Sequence, residues 1–73
     1  MSNRDQISAA YAAGRDFAAE LNATPAEAQN WHALTPDDEM PAGDYDALSR
    51  EYGEVTLEMA EAYRNAFNTE FRG

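Results

Sequence analysis

The stretch LSREYGEVTLEMAEAYRNAF, residues 48–67, decides how the rest of the chain is read. Leu48, Tyr52, Val55, Met59, Ala62 and Ala66 recur at intervals of four, three, four, three and four, the seam of an amphipathic helix. Tyr63 and Phe67 widen that face. Gly53 interrupts it. A glycine inside a helix costs about 1 kcal/mol against alanine, whereas at a helix end it is favoured. Two readings stay open. One is a continuous helix from Asp44 to Phe71. The other is a pair of helices parted at Gly53, with Thr56 capping the second. The glycine favours the break and the periodicity favours continuity.

The chain upstream is also helical in pattern. Ser2 or Asn3 offers a cap, and Asp5 places negative charge in the first turn, where the helix dipole favours it. Ile7, Ala10, Tyr11, Gly14, Phe17, Ala18 and Leu21 share one face of this first helix. Ala10, Gly14 and Ala18 are small, so another helix can approach closely there. Asn22 and Ala23 end the element. Thr24-Pro25-Ala26-Glu27 then combines a cap residue, a proline at the first helical position and an acid at the third. That predicts a second helix to about Ala33, turning Ala28, Trp31 and Leu34 inward. Thr35-Pro36-Asp37-Asp38 repeats the pattern and predicts a short helical turn. Pro41-Ala42-Gly43 breaks the chain, and Asp44 is expected to cap the element carrying Tyr45, Leu48 and Tyr52. No segment alternates apolar and polar residues over a strand's length. The expected fold is all-α, a compact bundle of three to four short helices forming a single domain over residues 1–73.

A chain of 73 residues buries only roughly 60% of its unfolded surface, so its stability is marginal. It has no cysteine with which to staple itself. Small secreted domains of this size usually carry disulfides, so a reducing compartment is expected. Arg4, Asp5, Arg15, Asp16 and Glu20 interrupt the apolar run a signal peptide needs. No stretch approaches the ~20 apolar residues of a membrane span. The expectation is a cytoplasmic protein with no membrane partner.

Charge is the least ordinary feature. Fourteen acids face five bases, every base is arginine, and the formal net charge is −9. Residues 1–36 carry four acids and two arginines, a net −2. Residues 37–61 carry nine acids against Arg50 alone, a net −8, and residues 62–73 carry one acid and two arginines, a net +1. Adaptation to a salt-rich host would spread acid more evenly. The clustering therefore points to a surface made for a positively charged partner.

On the continuous-helix reading, Glu51, Glu54, Glu58 and Glu61 fall on one helical face, at three-, four- and three-residue spacing. They would span ~15 Å at 1.5 Å per residue, with a carboxylate every ~5 Å. One strand of duplex DNA presents a phosphate every ~3.4 Å, a spacing of the same order. Asp37, Asp38, Asp44 and Asp46 extend the surface upstream, beside Glu39. Like charges at these spacings cost a few tenths of a kcal/mol per pair, a cost that a basic partner would relieve. The competing reading is an ordinary solvated helix face.

Other chemistries have weaker support. Asp44-Tyr45-Asp46 opens like a calcium loop, but Leu48 and Ser49 stand where a third oxygen ligand and the turn glycine belong. His32 is the sole histidine, which argues against a histidine-based zinc site and leaves it a packing or surface residue beside Trp31. Ser2, Ser8 and Ser49 have no recognisable base partner, and no catalytic residue, metal or cofactor is expected. Aromatic residues interleaved with acids argue against direct nucleic-acid binding, because phosphate is repelled. Most read as core; Tyr45 and Phe71 are expected to be partly exposed.

In size, charge and helical character the whole chain resembles the small acidic type I anti-CRISPR inhibitors encoded by phages and mobile elements, several of which are DNA mimics. The resemblance implies a basic nucleic-acid-binding partner, such as a Cascade subunit of a CRISPR surveillance complex in the host cytoplasm. Glu51, Glu54, Glu58 and Glu61 would stand in for phosphates, with Asp37, Asp38, Asp44 and Asp46 adding contacts. The alternative is a helical interaction or assembly module, a regulatory or antitoxin-like partner. It would bind through Tyr45, Phe67, Phe71 or the Leu48–Ala66 seam. A monomer is expected over a dimer.

Overall fold

A computed structural model describes residues 3–72. Four helices and no strand occur among them: α1 (Asn3–Asn22), α2 (Pro25–Ala28), α3 (Ala42–Tyr52) and α4 (Leu57–Glu70). The chain forms the small all-α bundle its periodicity predicts.

The choice at Gly53 goes to the break. Gly53 has φ +90°, a left-handed conformation that costs a residue with a Cβ about 1–2 kcal/mol. Its N–H still closes the last turn of α3 on the Ser49 carbonyl, and the chain then leaves the helix axis. Thr56 starts the next helix as expected: its hydroxyl accepts the Met59 N–H at 3.2 Å. The Met59 sulfur accepts the Thr56 N–H at 3.4 Å, taking the place of the usual glutamate of a capping box. The seam outlives the break, because both helices turn the same residues toward one core. Leu48, Met59, Ala62 and Ala66 are buried, with Tyr52 and Val55 packed at the edge.

The first-helix reading holds at its small residues. α1 packs chiefly along α4. A Cβ added to Gly14 would overlap the Tyr63 carbonyl oxygen and lie 3.0 Å from the carbonyl carbon. Ala10 and Ala18, roughly one turn to either side, are fully buried. Tyr11 departs from the expected inward set and is 42% exposed, at the margin of the stripe. Of the two caps proposed for α1, Ser2 lies outside the described residues and Asn3 is the first helical residue.

Other expectations need correction. α2 stops at Ala28 instead of running to Ala33. Three-residue turns, Asn30 N–H to the Glu27 carbonyl and Trp31 N–H to the Ala28 carbonyl, bend the chain away there. Trp31 thereby reaches Phe17, edge to face at 4.9 Å, and Phe67 at 6.0 Å. Thr24 makes no side-chain cap, although Pro25 and Glu27 take their expected places in the first turn. Thr35–Asp38 forms one turn and no helix: the Asp38 carboxylate accepts the Thr35 N–H at 2.8 Å and the Thr35 hydroxyl at 3.1 Å. Asp44 does not cap α3. Pro41 occupies the cap position, and Asp44 lies inside the first turn with its carboxylate turned elsewhere.

Two asparagines tie the non-helical segments down. The Asn68 side chain accepts the Leu34 N–H at 2.7 Å and donates to the Leu34 carbonyl at 2.8 Å. Asn22 donates to the Glu70 carbonyl at 2.8 Å and accepts the Arg72 N–H at 2.9 Å. Each bridges two backbone groups left over at helix ends or in loops.

The core has two parts. Leu21, Leu34, Tyr63 and Phe67 anchor one and Ala10, Leu48 and Met59 the other; Met40 packs against both.

Candidate functional site

α3 and α4 meet through side chains, not by close backbone approach. Leu48 packs with Met59, and the Tyr63 hydroxyl donates to the Asp44 carboxylate. Beyond these contacts the two helix starts stand apart and leave a groove of about 650 Å³. Met40, Val55 and Ala60 line it and are half-buried. Tyr45 and Leu57 line it too, and they are the two most exposed large apolar residues among the described ones, at 48% and 76%. Asp38, Glu39 and Asp46 share the lining, all three exposed, and no base is among the lining residues.

The groove sits where it does for local reasons. Pro41 starts α3 and Thr56 starts α4, so both helices present their N-terminal turns to the same region. Helix N-termini favour negative charge, which makes acids in those turns tolerable: Asp44 in α3 and Glu58 in α4.

The acids expected to form one surface do not share one helix. Gly53 splits the single stripe of Glu51, Glu54, Glu58 and Glu61 that a continuous helix would carry. Glu51 lies in the last turn of α3, Glu54 in the connection, and Glu58 and Glu61 in α4. All four are exposed, as are Asp37, Asp38 and Asp46. Asp44 is half-buried and engaged by Tyr63. Among the described residues no arginine forms an ion pair with Glu51, Glu54 or Glu61; the arginine pair present is Arg15 with its neighbour Asp16, at 3.8 Å. His32 lies 3.5 Å from Asp38.

Two groups are shifted from their ordinary titration. The Thr35 backbone N–H holds the Asp38 carboxyl below the usual range against desolvation, and the Thr35 hydroxyl and the nearby His32 add to the lowering. Burial pushes the Tyr63 hydroxyl well above the ordinary tyrosine range; its hydrogen bond to Asp44 and the charges of Asp44 and Glu20 add to the shift.

Sequence reasoning missed Leu57 and Met40 as site residues. Leu57 lies off the seam, so periodicity marks it as neither core nor surface. Met40 lies in a segment with no period. Phe71, expected to be partly exposed, is half-buried and stacks on Phe67 at 5.0 Å. Among the described residues no three histidine or acidic side chains converge as metal ligands would, and no helix is long and apolar enough to cross a membrane. No family model, curated protein or solved structure matches the chain.

Proposed function

We propose that this protein is a non-catalytic inhibitor that presents carboxylates in place of phosphates to the basic surface of a nucleic-acid-binding protein. One observation carries the reading. Of the nine acids between Asp37 and Glu61, all but Asp44 are exposed, and Arg50 is the only arginine among them. A helix pair bearing that excess of negative charge gains steering from a cationic partner. The proposed contact set is Glu51, Glu54, Glu58 and Glu61, with Asp37, Asp38, Asp44 and Asp46 beside them. Because the helix is broken, the proposed mimicry is of charge density and not of a phosphate lattice. A type I CRISPR surveillance complex is the target that the resemblance in size and charge implies.

The test is displacement of target DNA from a purified type I surveillance complex, followed by gel shift. The parent protein is expected to compete with DNA, and its apparent affinity to fall steeply as salt rises. Glu51, Glu54, Glu58 and Glu61 changed together to glutamine are expected to abolish competition while helicity is unchanged. Undiminished inhibition by that variant would sink the reading.

A second reading has its own observation. Exposed Tyr45 and Leu57 in one groove favour an interaction module that binds through apolar contacts. Of the contacts that reading expects, Phe67 and most of the Leu48–Ala66 seam are interior. Tyr45 alone of those residues stands open.

A further inference from the structure

Leu57 occupies the first position of α4, where helix formation asks for no apolar side chain. Thr56 supplies the cap, and a polar residue would serve equally well after it. Yet a leucine stands there with three quarters of its surface in water, 76%, across the groove from a half-exposed Tyr45. Covering such a side chain fully is worth roughly 1.5–3 kcal/mol, so the groove holds unused binding energy. Its volume, about 650 Å³, falls within the ~300–1,000 Å³ of sites that hold ligands.

The charge of the lining selects the occupant. Asp38, Glu39 and Asp46 repel phosphate and anionic lipid. They also oppose a second copy of this chain, which would bring a further −9 against the same acids. We infer that the groove binds a cationic segment of a protein partner: one bulky apolar side chain enters beside Tyr45 and Leu57, and flanking lysines or arginines meet Asp38, Glu39 and Asp46. The inference rests on the reading of the α3–α4 corner as an acidic docking surface, and it adds the place where that partner's apolar contact goes. In this arrangement the acids steer and orient, and the apolar anchor prolongs the complex.

The probe is a fluorescein-labelled amphipathic peptide of leucine and lysine. The control is a lysine–alanine peptide of equal length and charge. Anisotropy titrations on the parent are expected to show at least about tenfold tighter binding of the leucine peptide, equivalent to about 1.4 kcal/mol. Amide shifts in nuclear magnetic resonance spectra are expected to centre on Met40, Val55 and Ala60. Leu57→Ser is expected to remove the leucine preference and leave binding of the alanine peptide unchanged. Its side chain is exposed, so the thermal midpoint should match the parent's; Tyr45→Ser is the second variant.

Equal binding of the two peptides by the parent overturns the inference, as does a leucine preference that survives both variants. Concentration-dependent dimerisation of the parent that Leu57→Ser abolishes would assign the groove to a second copy and overturn the cationic partner. The glutamine quadruple variant separates the two claims. Lost DNA competition in that variant, with no leucine preference in the parent, removes the groove proposal and spares the acidic surface. The opposite pattern removes the acidic surface and spares the groove.

Discussion

Gly14 and Gly43 show how one substitution changes sign with its surroundings. Both lie in helices, where alanine outranks glycine by about 1 kcal/mol. Nothing lies within 4 Å of a Cβ placed on Gly43, so Gly43→Ala is expected to stabilise by up to about 1 kcal/mol. A Cβ on Gly14 meets the Tyr63 backbone, which cannot swing aside as a side chain would. Gly14→Ala is expected to cost roughly 1–3 kcal/mol. Urea midpoints of the two variants check both signs. Tyr63 yields a pH prediction. Its folded titration lies above its unfolded one, so its contribution to stability is complete below about pH 10 and is lost as the pH rises beyond that. Each pH unit above that point should cost about 1.4 kcal/mol through this group. Tyr63→Phe loses the hydrogen bond to Asp44 at neutral pH, an expected cost of about 1–2 kcal/mol. It should also flatten the alkaline decline, which unfolding curves on either side of pH 10 would reveal.

The α3–α4 connection is two adjacent signals, one that stops a helix and one that starts the next. Gly53→Ala places a Cβ at φ +90° and is expected to cost about 1–2 kcal/mol. Thr56→Ala removes the acceptor for the Met59 N–H and is expected to cost about 1 kcal/mol. The two act on different features of one corner, so a double variant that loses much less than the sum would show that the corner opens as a unit. Denaturation midpoints of the two single variants and the double variant measure this. The corner parts Glu51 from Glu58 and sets the start of α4 beside the groove.

Across the molecule, the charge works against the fold that displays it. A domain of 73 residues has little stability in reserve, and the acids of its C-terminal half repel one another. Added salt should therefore stabilise the parent. Glu51, Glu54 and Glu61 changed together to glutamine should be more stable than the parent in dilute buffer, by roughly 0.5–1 kcal/mol. That gap should close near 1 M salt, where screening acts within about 3 Å. Urea midpoints at low and high salt measure both effects. A domain adapted to a salt-rich host would behave otherwise: the parent would fail to fold in dilute buffer.

Helix periodicity, the small stripe at Ala10, Gly14 and Ala18, the Thr56 cap and the concentration of acid are properties of near neighbours in the chain, and each was legible there. The seam from Leu48 to Ala66 marked the core even where the helix breaks, because burial depends on which face a residue takes. The remaining features join distant positions. Tyr63 reaches Asp44 over 19 residues, Asn68 reaches Leu34 over 34, and Asn22 reaches Glu70 over 48. No local pattern encodes such pairs. The break at Gly53 stood between propensity and periodicity in the sequence, and the backbone takes it, with Gly53 left-handed and Thr56 capping the next helix. The placement of the glutamates followed, and with it a groove whose apolar residues, Met40 and Leu57, carry no periodic signal.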